Sequence, residues 1–185
     1  MAIDESVDDV RPWTEEIEFP ILIDQQHALT ELYAISNVPT VLWIDGDERI
    51  VRPNGVAFGT DTFAEFTKVQ SEPHMEAVRR WVLDGEEPLP ADEARQAVGD
   101  LSDDEVLARL HFRVATEARR QGDADTAARH FATAGELAPD DFTVRRAALP
   151  LTGLDPFGED FFGMMREWQE AGAPYHGIKG GPGQF

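Results

Sequence analysis

Cysteine is absent from all 185 residues, and that absence removes disulfides, thiolate nucleophiles and cysteine-based zinc sites together. Lysine is nearly absent too: Lys68 and Lys179 are the only two, and 16 basic residues face 36 acidic ones for a net charge of −20. Phosphate binding needs clustered Lys and Arg, so this balance argues against nucleic acid and against an anionic membrane surface. The acidic excess runs along the whole chain rather than gathering in a tail. That spread fits a saline cytoplasm or a compositional bias better than a surface shaped for one basic partner. No apolar run approaches the roughly 20 residues that a membrane helix needs. The opening MAIDESVDD is acidic and lacks the basic and apolar regions of a signal peptide, so the expected location is the cytoplasm.

Five histidines are present, His27, His74, His111, His130 and His176, and no two stand at the i, i+4 spacing that would put a ligand pair on one helix face. No metal and no cofactor is expected. Asp45, Asp47 and Glu48 crowd one turn but lack the twelve-residue calcium pattern and read as a solvated turn. Gly177 to Gly183 has no Gly-Lys-Ser/Thr and does not follow a strand, so it is not a phosphate loop. No Ser–His–Asp arrangement can be argued from spacing.

Residues 1 to 52 alternate strand and helix signals. Ala2-Ile3-Asp4 reads as the tail of a strand, and Ser6 caps a helix with Val7, Val10, Trp13 and Ile17 on one face. Phe19 to Ile23 is a short apolar strand. A helix from about Gln26 to Ala34 would bury Ala28, Leu29, Leu32 and Tyr33. Thr40 to Ile44 reads as a buried strand, Asp45-Gly46-Asp47 as a hairpin turn, and Arg49 to Arg52 as the antiparallel return. A helix through Phe63, Phe66 and Val69 ends at Pro73, and another carries Met75, Val78, Trp81 and Val82.

From Gly85 to Asp100 the chain reads as an acidic linker with Pro88 and Pro90 and at most a short turn near Glu93 to Ala97. The pattern then becomes all helical. Ser102-Asp103-Asp104-Glu105 is a capping box. The helix behind it continues through Val106, Leu110, Val114 and Ala118 to Gln121-Gly122. Asp123 to Ala138 is the return helix, a third helix spans about Asp141 to Leu149, and a fourth follows Asp155-Pro156 to about Glu170. Phe157, Phe161, Phe162, Met164, Met165 and Trp168 on that last helix read as core or interface.

The string FPILIDQQHALTELYAISNVPTVLWIDGDERIVRPNG resembles the TlpA-type thioredoxin-like proteins over about residues 1 to 70. The resemblance rests on a strand ending near Asp24, a helix closing on Tyr33, Val38-Pro39-Thr40, an apolar strand and an Asp-Gly hairpin. It implies a cis Val38–Pro39 bond, which would expose the backbone at Val38 to an extended partner chain. It also exposes a departure: the family's first strand and Trp-Cys-x-x-Cys helix start have no counterpart here. That strand is central in the family, so its loss would leave unpaired backbone mid-sheet. Three outcomes answer such a gap: a chain that starts upstream, a partner chain such as a second copy completing the sheet, or strands that re-pair. The first is the preferred expectation.

A second string, HFRVATEARRQGDADTAARHFATAGELAPDD, resembles one tetratricopeptide repeat. Gly122-Asp123 falls at the inter-helix turn and Pro139 closes the repeat. Ala127, Phe131 and Ala134 take the small, aromatic and small packing positions, with Ala115 and Ala118 opposite; His111 stands where Trp is usual. One repeat cannot bury its own face. The preferred reading is a hairpin packed on the first domain, with a peptide-binding groove or a dimer interface as alternatives.

The expected fold class is therefore α/β thioredoxin-like, incomplete for want of its central amino-terminal strand, plus an all-α region with one tetratricopeptide-like hairpin. The boundaries are 1–84 for the thioredoxin-like region, 85–100 for the linker, 101–171 for the helical region and 172–185 for a flexible tail. The expected function is protein–protein binding by a thioredoxin-family chain without redox cysteines. Val38, Pro39 and Thr40 would form the edge that recognises a protein or peptide partner. The alternative is a thiol–disulfide oxidoreductase whose Cys-x-x-Cys segment lies upstream.

Overall fold

The computed structural model describes residues 1–4, 6–35, 40–55, 61, 64–67, 70–97 and 100–172. They separate into two compact units that cut across chain order. One lies within Met1–Ser36 and Leu101–Pro174, the other within Asn37–Asp100.

The first unit opens with little regular structure. Ala2 and Ile23 form an isolated parallel bridge, held by the Ala2 N–H on the Leu22 carbonyl at 2.7 Å and the Asp24 N–H on the Ala2 carbonyl at 2.8 Å. Ser6 does cap a helix, accepting from the Asp9 N–H, but α1 is only Val7–Val10. Pro12 has no N–H to continue the ladder, and the chain tightens into a 3₁₀ turn over Arg11–Trp13. The expected apolar face is thereby broken: Val10 is buried while Trp13 is 81% exposed. The next helix, α2 (Ala28–Leu32), is likewise short, and it is turned over. Thr30 and Glu31 are its buried residues, and Leu32, expected inside, is exposed. Asp24 explains the turn: its carboxylate accepts the Ala28 N–H at 2.8 Å, the Thr30 N–H at 2.9 Å and the Thr30 hydroxyl at 3.0 Å. A buried side chain with three donors on it anchors a helix end more firmly than exposed apolar surface can.

The second unit is built on a hairpin, β1 (Val41–Ile44) and β2 (Ile50–Gly55), paired antiparallel with Trp43 opposite Arg52 and Ile44 opposite Ile50. Asp45 organises the turn as expected for an Asp side chain that bonds its own backbone two residues on. Its Oδ1 accepts from the Asp47 and Arg49 N–H groups, each at 2.9 Å, and these bonds hold its carboxyl below the usual carboxylate range. Of the expected buried strand only Trp43 is buried; Ile44 is exposed. Beyond it lie α3 (Ala64–Thr67) and α4 (Ser71–Asp84). Pro73 sits in the first turn of α4, where its missing N–H costs nothing, so it begins this helix rather than breaking one. Gly85 ends α4 at φ 70, its N–H on the Trp81 carbonyl and that of Glu86 on the Arg80 carbonyl. A further helix, α5 (Ala91–Ala97), forms where the reading expected at most a turn, and packs on β2 with Ala94 buried.

Four helices complete the first unit: α6 (Asp103–Arg120), α7 (Ala124–Leu137), α8 (Phe142–Leu151) and α9 (Glu159–Glu170). The capping box is present in full, with the Ser102 hydroxyl on the Glu105 N–H and the Glu105 carboxylate on the Ser102 N–H. Asp123 and Asp141 cap α7 and α8 through their side chains. Small residues let α6 and α7 close on each other: Ala108, Ala115, Ala118, Ala127 and Ala134 pack with Phe112 and Phe131, whose rings meet edge to face at 5.5 Å. Val144, Ala147 and Leu151 bring α8 onto the same core. A smaller cluster of Leu149, Phe161 and Met164 joins α8 to α9.

These observations correct the expected fold class. Of the described residues 58% are helical and 7% are in strands, and the two strands form one antiparallel pair, so the chain is not a thioredoxin-like α/β fold. The physical reason lies in the segment read as Phe19–Ile23. A strand needs partners on its backbone, and here Ile23 alone is bridged while Phe19 and Leu22 are largely exposed. Among the described residues there is no four-stranded core from which a central strand could be missing.

Candidate functional site

With 3.6 residues per turn, α6 carries two apolar patterns at once. Ala108, Phe112 and Ala115 fall on the side facing α7 and α8, and each is almost wholly buried. Val106, Leu110 and Val114, one turn apart, form a second row beside Leu107 on the opposite side. Their exposures are 43%, 50%, 45% and 45% for Val106, Leu110, Val114 and Leu107. Four half-exposed branched side chains thus make a stripe about 12 Å long on one helix. The sequence reading followed the Val106–Leu110–Val114 row; the structure puts the row of smaller residues inside instead, because only that row lets α7 approach closely. The signal was in the sequence, as an Ala-Phe-Ala row offset by two residues.

Charges frame the stripe. Asp103 precedes it and Glu117 follows it on the same side. Glu117 accepts from Arg120 Nη2 at 2.5 Å and from Gln121 Nε2 at 2.6 Å, and these bonds lower its pKa to about 2. Along one edge Arg113 and Arg109 reach α2. Arg113 Nε donates to Glu31 Oε2 at 2.6 Å, Arg109 Nη1 donates to the Glu31 carbonyl at 2.6 Å, and Arg109 Nη2 donates to Asp141 Oδ2 at 3.1 Å. The same Asp141 caps α8 through its Oδ1, so one buried carboxylate ties α6 to α8. Between α6 and α7, His111 Nδ1 and His130 Nδ1 share a hydrogen bond at 2.7 Å. The stripe therefore sits on a helix fixed from three sides.

Of the residues expected to form a recognition edge, Val38 and Pro39 lie outside the described residues, and Thr40 is half-buried just ahead of β1. Thr40 belongs to the second unit and the α6 stripe to the first. Among the described residues no three His, Asp or Glu side chains gather as a metal site requires. No helix of the described residues is long and apolar enough to cross a membrane. Sequence reading also missed Arg52 and His74, which meet at 2.7 Å; Arg52 stands opposite Trp43 only because the register shifts between Trp43 and Ile44, which the turn position does not reveal.

No protein-family model, no curated protein and no solved structure matches this chain.

Proposed function

We propose that the protein acts by protein–protein binding and that the outward stripe of α6 is its contact surface. The observation that supports this reading is the double pattern of that helix, with Val106, Leu107, Leu110 and Val114 half-exposed opposite a filled core face. Apolar side chains scattered singly on a surface need no explanation, but a contiguous row on a rigid helix marks an interaction site. The rim of Asp103, Arg113 and Glu117 suits such a site, since interfaces place apolar anchors centrally and charges around them. Without cysteine the chain holds no disulfide that would call for an oxidising compartment, which supports a cytoplasmic setting.

A photo-crosslinking residue placed at Leu110, and separately at the exposed Ala128 of α7, tests the reading in extract of the source organism. The expected result is a discrete protein adduct at Leu110 that is absent at Ala128 and lost when Leu107 and Val114 are changed to Gln. Identical adducts at both positions, or none at Leu110, would overturn it.

A further inference from the structure

In the second unit, four side chains from β1, β2 and α4 meet in one cluster. Trp43 is 2% exposed; its ring stacks on Trp81 at 5.1 Å and meets His74 edge-on at 5.5 Å. The Arg52 guanidinium lies over the Trp43 ring, 5.0 Å from its centroid, and Arg52 Nη1 donates to His74 Nδ1 at 2.7 Å. Arg52 is 6% exposed. The other arginines of this unit with ion pairs are all on the surface: Arg49 meets Asp45 and Asp47, Arg79 meets Glu72, and Arg80 meets Glu86. Arg52 is the most buried of them, and among the described residues it meets no carboxylate.

The hydrogen-bond inventory of the cluster is one-sided. A guanidinium and an indole only donate, and His74 spends its one acceptor, Nδ1, on Arg52, which leaves Nε2 carrying the hydrogen. Burial first, and the Arg52 charge second, hold the His74 pKa below its ordinary value, in keeping with a neutral ring. The Trp43 Nε1–H is buried and has no hydrogen-bond partner among the described residues. A buried cation without an anion and a buried donor without an acceptor are each unfavourable, and one group of the opposite kind relieves both. Among the described residues, what the cluster lacks is a negatively charged acceptor.

We propose that the Trp43–Arg52–His74 cluster is a binding site for a carboxylate, which takes the free guanidinium N–H groups of Arg52 and the indole N–H of Trp43. The planar fork of arginine matches the two oxygens of a carboxylate, and the aromatic walls shield the pair from water. In a chain of net charge −20 the general field repels anions, so affinity for one has to come from a local site of this kind.

The test titrates sodium acetate into the full chain at constant ionic strength, with chloride as the balancing salt, and follows the His74 ring by NMR together with tryptophan fluorescence. The expected result is a saturable shift of both signals that chloride does not produce. Arg52→Lys, which keeps the charge but loses the fork, should weaken it at least tenfold, and Trp43→Phe, which removes the indole N–H, should weaken it less. Because the wild-type titration is decisive alone, a variant that fails to fold leaves the test intact. A free carboxylate and an acidic side chain present the same group. N-acetylglutamate amide that binds like acetate marks a site for free carboxylates, and one that binds more tightly marks a site for an acidic residue of a partner. A linear, unsaturable response equal in acetate and chloride would overturn the proposal.

Discussion

Glu31 and Arg113 stand 82 positions apart in the chain, yet Arg113 Nε donates to Glu31 Oε2 at 2.6 Å, and this ion pair acts together with the Asp24 bonds to set which way α2 faces. Glu31 is 3% exposed on its side chain and lies 3.6 Å from Arg109 as well, itself 8% exposed. A charge removed from water to that degree is tolerated only when paired and hydrogen-bonded, and here the pairing reaches on through Arg109 to Asp141.

Removing Glu31 should therefore be costly. Glu31→Ala leaves Arg109 buried with only part of its countercharge, and destabilisation of roughly 3 kcal/mol is expected from the urea midpoint. Glu31→Gln keeps the volume and should fall between the two. An Ala variant within about 0.5 kcal/mol of wild type would mean that this network does not form in solution.

Glu31 also shows where sequence reading stopped. The Ser102–Glu105 box, the Gly122 turn, the helix starts at Asp123 and Asp141 and the Asp45 hairpin turn were all legible, because each is decided by residues within four positions of one another. The burial of Glu31 is decided by Arg109 and Arg113, and no local periodicity carries that information. Local apolarity misled in the same way at Phe19 to Ile23, whose β-like composition is paired, among the described residues, through the single Ala2–Ile23 bridge alone. On α6 two apolar rows competed for the core, and the narrower one won on fit rather than on hydrophobicity.

Phe112 tests the packing of the helical unit. It is 1% exposed and meets Phe131 across the α6–α7 seam, so Phe112→Ala should cost about 3–5 kcal/mol and lower the melting temperature of that unit. Val114→Ala, two residues on and on the exposed side, should stay within about 0.5 kcal/mol. Equal losses at both positions would contradict the assignment of inner and outer faces, and with it the proposed contact surface.

The capping box gives a smaller, local prediction. Ser102→Ala removes the acceptor for the Glu105 N–H and should destabilise by about 1 kcal/mol, while Ser102→Asp should restore most of the loss. Thermal melts followed by circular dichroism measure both. An unaffected Ala variant would show that the start of α6 frays without consequence for the core.

Acidification should act through His74. Burial and the Arg52 charge lower its pKa in the folded state, so the unfolded chain binds a proton there more readily than the folded one. The stabilisation supplied by the neutral ring is then complete above the ordinary histidine value of about 6.5 and is lost as pH falls through the lower folded value. His74→Asn keeps an oxygen acceptor for Arg52 and removes the titration. Wild type should lose more stability than this variant between pH 7.5 and 5, and parallel stability curves would show that His74 does not report on the cluster. A carboxylate seated beside the ring reverses the electrostatic part of the argument, because a negative charge favours imidazolium. In acetate, then, the His74 titration should move upward relative to chloride, and a titration that stays in place would separate a purely structural cluster from one that holds an anion.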